Sequence, residues 1–154
     1  MRWLRCRSAW SLSGFWDGGN VSEFPDGWGS VMAGEWSFDF DWSKPPLSLN
    51  YRMHHMQAAK ITRELRTLMC AKARHLPDMT RCEVTLTWFV NTRTRRDDEN
   101  PVPTLKALCD GLVDAEVVPD DVNAYMVKNM PVIQYRKGVP ASMRLTIRDI
   151  GENA

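Results

Sequence analysis

The run Arg95-Arg96-Asp97-Asp98-Glu99-Asn100 places three carboxylates directly behind two guanidinium groups. Asp97 and Glu99 stand two residues apart. In an extended segment, residues at that spacing point to the same side. Two carboxylates on one side make a ligand pair for a hard divalent cation, which prefers oxygen donors. Held together without a cation, they repel. The arginines cannot ligate a metal, but a guanidinium can grip a phosphate through its forked N–H groups. For such a run by itself, a solvated charged loop at a strand end is the plainer account.

A second acidic pair, Asp120-Asp121, follows Val118-Pro119. Pairs of this kind often do no more than make a turn. Here, however, a helix is expected between the two acidic runs, and the loop after it could return Asp121 to Asp97 and Glu99. Three carboxylates could then hold one Mg²⁺, or two, at oxygen distances of about 2.0–2.1 Å. Lys106 is the only basic residue between positions 97 and 121. It could neutralise the carboxylates, or stabilise charge developing on a phosphate during hydrolysis. The nearby helix N-terminus also favours anions. His54, His55 and His75 lack partners at metal-ligand spacing and read as surface or helix-face residues. The sequence has no Ser-His-Asp order, no phosphate-binding GxxxxGK[ST] loop and no HExxH.

These residues need elements to position them. Trp36 to Trp42 alternates apolar and polar side chains, as a half-buried strand does, and Lys44-Pro45-Pro46 breaks it. Residues from about 53 to 74 carry Met53, Met56, Ile61, Leu65, Leu68 and Met69 at roughly helical spacing. This Met-rich face suits a core or a dimer contact better than a cofactor site. Cys82 to Val90 is β-branched and aromatic, hence a strand. Leu105, Leu108, Cys109, Leu112 and Val113 follow the spacing of an amphipathic helix. Asn100 or Thr104 could cap that helix, and Pro101 or Pro103 fits its first turn. Val122 to Gln134 reads as a strand broken at Pro131. Ala141 to Ile150 contains a last alternating strand. The order β-α-β-α-β-β predicts a single α+β domain, a mixed β-sheet with two helices.

Length and composition agree. The 154 residues make one domain, and 44% hydrophobic with 25% charged residues excludes global disorder or a fibrous repeat. No stretch approaches 18 consecutive apolar residues, so no membrane partner is expected. Cys6, Cys70, Cys82 and Cys109 lie far apart without a CxxC pair, which argues against a zinc ribbon or a dense disulfide scaffold and fits a reducing compartment. Residues 1–31 hold four of the seven tryptophans among Gly and Ser with no sustained period, and lack a clear secretion signal. They read as a poorly ordered extension that need not belong to the natural product, Met32 being a candidate start. The domain is then 32–154.

The net charge of +1 suggests no polyanion partner. By segment it says something else. Residues 50–96 carry ten basic and three acidic residues, and residues 97–121 carry eight acidic residues and Lys106. A +7 block therefore abuts a −7 block at Arg96-Asp97. Two solvated faces that neutralise each other would account for this, and so would a site that grips a polyanion beside a cation.

Three runs together resemble the RusA family of Holliday-junction resolvases. They are Arg95-Arg96-Asp97-Asp98-Glu99-Asn100, then Leu105-Lys106-Ala107-Leu108-Cys109-Asp110-Gly111-Leu112, then Pro119-Asp120-Asp121. The likeness extends from about Trp36 to Glu152. It implies a small homodimeric endodeoxyribonuclease, dependent on Mg²⁺ (or Mn²⁺), that resolves four-way DNA junctions by paired nicks in the cytoplasm of a bacterial or phage-infected cell. Recombination, repair and trimming of branched DNA before packaging are the roles open to it. By position, Asp97, Glu99 and Asp121 become the metal carboxylates and, with Lys106, the catalytic set, while Asn100 and Asp120 support them. Arg93, Arg95 and Arg96, with Lys60, Arg63, Arg66, Lys72 and Arg74, are the expected DNA grip. Glu99 stands where the family usually has Asp. A carboxylate displaced by about 1 Å can cost roughly 100-fold in rate, so a catalytically weakened or inactive branched-DNA-binding protein is the alternative. Pro101-Val102-Pro103 also lengthens the path to Lys106.

Overall fold

The computed structural model describes residues 34–151. The extension expected over residues 1–31 lies outside the described residues. The elements run β1 (Glu35–Phe40), α1 (His55–Ala73), β2 (Cys82–Val90), α2 (Val102–Asp114), β3 (Met126–Lys128), β4 (Val132–Tyr135) and β5 (Ser142–Asp149). This is the expected α+β class, one domain with a mixed sheet and two helices. β5 lies between β1 and β2 and is antiparallel to both, and β3 and β4 pair parallel with the other edge of β2. No helix among the described residues is long and apolar enough to cross a membrane.

Side-chain alternation divides the sheet into two faces. Val84 and Leu86 of β2 and Met143, Leu145 and Ile147 of β5 are fully buried. They form one cluster with Leu65 and Met69 of α1 and Leu105, Leu108 and Leu112 of α2. The intervening residues Glu83, Thr85, Thr87, Arg144, Thr146 and Arg148 are polar and not buried. Both helices thus cover one face and leave the other polar. Met56 and Leu68, read from the sequence as part of the apolar stripe of α1, are exposed.

The strand expected over Val122–Gln134 is two short strands preceded by a turn, in which Tyr125 N–H donates to Val122 C=O at 2.9 Å. Val84 pairs with Lys128, but Thr87 pairs with Val132, so one extra residue enters the edge strand between them. This is a β-bulge. Pro131 has no N–H to offer the ladder. Asn129 holds the break: its backbone N–H donates to Val84 C=O at 3.0 Å, and its side-chain amide donates to Glu83 Oε1 and Thr85 Oγ1, both at 2.9 Å. The Asn129 and Arg148 side chains hold the Glu83 carboxyl below its ordinary range, Asn129 the more strongly. A lowered carboxyl pKa stabilises the fold above the unfolded value, and that contribution is lost as pH falls through the folded value. Glu83→Gln should therefore melt below wild type at neutral pH, and the gap should close on acidification. Melting curves from pH 7 to pH 3 check this, and a gap independent of pH would refute it.

The helix starts differ in kind. His54 caps α1, its Nδ1 accepting from Met56 N–H at 3.3 Å. The N-cap of α2 is Pro101, with no side-chain cap, so neither Asn100 nor Thr104 caps it. Thr104 is instead fully buried. Its hydroxyl donates to Leu47 C=O at 2.7 Å and accepts from Leu47 N–H at 3.0 Å, tying the loop after β1 to α2. Cys70, Cys82 and Cys109 are buried thiols outside any disulfide. Burial pushes the Cys82 thiol up to about 11 and the Cys109 thiol to about 12. Since the thiolate is the reactive form, a Cys6→Ser variant should leave no thiol reactive to an aromatic disulfide reagent at pH 8 until denaturant is added. Fast labelling of the native protein would contradict that burial.

Candidate functional site

β2, α2 and β3 form a strand-helix-strand unit in which the two strands are parallel. One acidic run lies in the loop that enters α2 and the other in the loop that leaves it. Lys106, on the exposed side of α2, reaches Asp121: Nζ lies 3.1 Å from Oδ2. Lys128, at the end of β3, approaches the same oxygen at 3.3 Å and also donates to the Asp121 backbone carbonyl. Lys106 is further paired with Asp110 at 3.5 Å. The Lys106 hydrogen bond, with help from Lys128, holds the Asp121 carboxyl below its usual range, and the same bond raises the Lys106 ammonium. Asp120 Oδ1 accepts from Asp121 N–H at 2.7 Å, which fixes the loop locally.

Lys106 and Asp121 are therefore brought together, and Lys128 joins them. No local pattern marks Lys128, which by sequence is one more cation in a basic tail. Only the strand that carries it back beside β2 puts it on Asp121.

Asp97 and Glu99 are placed otherwise. The expected extended run is a pair of overlapping turns, with Asn100 N–H on Asp97 C=O at 3.1 Å and Val102 N–H on Glu99 C=O at 3.0 Å. In turns the i, i+2 rule for strands does not apply. Asp97, Asp98 and Glu99 are exposed, and Asn100 C=O accepts from Leu49 N–H at 3.4 Å. Among the described residues, no three His, Cys, Asp or Glu side chains are disposed to hold a metal ion. The donors are right for Mg²⁺ in kind but not in disposition. The Asp121 carboxylate already has two ammonium partners, which supply the neutralisation a cation would otherwise give.

The expected DNA grip also divides. Arg66 makes a two-pronged bond to Asp114 at 2.9 and 2.8 Å, which clamps α1 to α2. Arg96 donates to Thr92 C=O, Thr94 C=O and Thr92 Oγ1, and lies over the Trp88 ring. Both guanidinium groups are spent on the fold. Lys60 stands 3.9 Å from Glu64 and Lys72 lies over the Phe40 ring. Arg63, Arg74, Arg93 and Arg95 are exposed.

Two clefts flank Lys106. One, of about 350 Å³, is lined by Leu47, Tyr51, Met53, Pro103 and Asp110 among others. The other, of about 250 Å³, lies toward Lys128, Met130 and Pro131. An anion entering either would meet the Lys106 ammonium, whose present partners are the Asp121 and Asp110 carboxylates. Comparison with protein-family models and with curated proteins finds no match.

Proposed function

We propose that this chain is a RusA-like, structure-selective endodeoxyribonuclease that hydrolyses phosphodiesters at four-way DNA junctions, as a homodimer, in the cytoplasm of a bacterial or phage-infected cell. The observation that carries the reading is the contact between Lys106 and Asp121. These are the lysine and the aspartate of two separate runs in the resemblance, 15 residues apart in sequence and hydrogen-bonded in the fold. In this reading the Asp121 carboxylate aims Lys106 and Lys128, and the two ammonium groups receive the negative charge of a scissile phosphate. Mg²⁺ or Mn²⁺ would be taken by Asp97, Glu99 and Asp121. As described they do not stand together, so the reading requires the 97–100 turn to close on Asp121. A symmetric dimer would supply two such sites for two symmetric cuts.

The test is cleavage of an end-labelled four-way junction by the wild-type protein in Mg²⁺ or Mn²⁺, with Asp121→Asn as the inactive comparison. No cleavage under either metal would remove the nuclease reading. One observation favours a second reading, branched-DNA binding without cleavage: Asp121 Oδ2 already has two lysine partners, and among the described residues no three carboxylates converge. Junction binding without cuts, with Glu99→Asp restoring them, would select it.

A further inference from the structure

The parallel pairing of β2 and β4 brings together two basic segments that are distant in sequence. Val90 and Tyr135 are register partners, and Arg136 N–H donates to Val90 C=O at 2.8 Å. The chain after β2 carries Arg93 and Arg95, and the chain after β4 carries Arg136 and Lys137. Because the strands are parallel, both segments leave the same end of the sheet side by side. Arg93, Arg95, Arg136 and Lys137 are exposed, and none forms an ion pair with a carboxylate among the described residues. By contrast, Arg144 and Arg148 on the polar face of the sheet are paired with Asp39 and Glu83.

Aromatic rings carry two of the four cations. The Arg136 guanidinium lies 3.6 Å from the centroid of Phe89, and Arg93 lies 4.8 Å from that of Tyr135. Phe89 belongs to the polar face, outside the core cluster, yet only 4% of it is exposed. A guanidinium laid flat on a ring loses less freedom on binding an anion and keeps its edge N–H groups available. Four like charges at one end of the sheet, with no ion-paired carboxylate among the described residues, favour the approach of a polyanion.

We infer that this end of the sheet, formed by Arg93, Arg95, Arg136 and Lys137, is a surface for the phosphate backbone of a nucleic-acid strand. The inference extends the proposed function by assigning a grip from the β4–β5 segment, but it does not need catalysis. Asp97, Asp98 and Glu99 follow Arg95 closely in sequence, and their negative charge would keep the strand on the arginine side.

The experiment is fluorescence anisotropy with a labelled 20-nucleotide duplex, in chelator so that cleavage plays no part, across 50–300 mM salt. The double variant Arg136→Ala, Lys137→Ala should bind roughly ten-fold more weakly near 100 mM salt, and the slope of log affinity against log salt should fall by about two. Lys137→Glu, an exposed change with no packing role, should weaken binding in the same direction and guards against misfolding of the double variant. Arg148→Ala, at the opposite end of β5, should bind as wild type. Unchanged binding and slope in both altered proteins would overturn the inference, as would equal weakening in Arg148→Ala or no wild-type binding. Displacement of DNA by polyglutamate at equal charge would also overturn it, in favour of an acidic protein partner. Binding without cleavage would sink the nuclease reading and leave this surface standing.

Discussion

Asp121→Asn should lower junction cleavage by about 100-fold or more, the usual loss when one preorganised charge is removed from a reacting centre. The same variant should bind DNA as tightly as wild type or more tightly. The reason is the pair of ammonium groups on one carboxylate oxygen, Lys106 at 3.1 Å and Lys128 at 3.3 Å. The amide still accepts hydrogen bonds, so the loop keeps its shape, but it no longer neutralises either lysine. Lys128 then faces an approaching phosphate without its carboxylate, and Lys106 with only Asp110 opposing it. Partly exposed ion pairs contribute only about 0–1 kcal/mol, so the fold should survive, which a melting curve confirms. Cleavage and chelator-blocked binding, measured on the same preparation, separate the two effects. Cleavage at the wild-type rate would remove Asp121 from the chemistry. Binding lost in step with cleavage would make it a structural residue.

Gly111→Ala should destabilise the fold by about 1–3 kcal/mol, the range for overpacking a close contact. By helix propensity alone the change should gain about 1 kcal/mol, because Gly is a poor helix former. Packing reverses the sign. A methyl at Gly111 would sit 2.7 Å from Met69 Cβ and 2.8 Å from Arg66 C=O. Neither neighbour is the far end of a flexible side chain, so the helices themselves must separate. Separation would also pull on the Arg66–Asp114 clamp that spans the same crossing. The midpoint of urea denaturation reads the effect directly. A midpoint at or above wild type would mean that α1 and α2 do not approach this closely.

Some elements were legible from local pattern because one face of each is buried and the other is wet. β2 was read at its observed limits, Cys82–Val90, from β-branched and aromatic residues. α2 was placed by its apolar spacing, and β5 by strict alternation. The break at Pro131 in the edge strand was legible, but the bulge was not, because a bulge depends on which residue of the partner strand is met, and a single chain segment does not record that. Thr104 is, with Asn100, one of two cap candidates by its position near a helix start, whereas its hydroxyl is used across the fold on Leu47.

The candidate site divides along the same line. Residue types and order alone determined that carboxylates, one lysine and an arginine run flank a helix, and that opposed charge blocks meet at Arg96-Asp97. Which of these groups touch was decided by tertiary structure. The parallel return of β3 puts Lys128 on Asp121, turn formation takes Asp97 and Glu99 out of the extended geometry, and β4 lays Arg136 and Lys137 beside Arg93 and Arg95. Sequence spacing fixes neighbours within a helix or strand, where the repeat is set by backbone geometry. Contacts between elements depend on register and crossover, and those are set by burial of the whole apolar face at once.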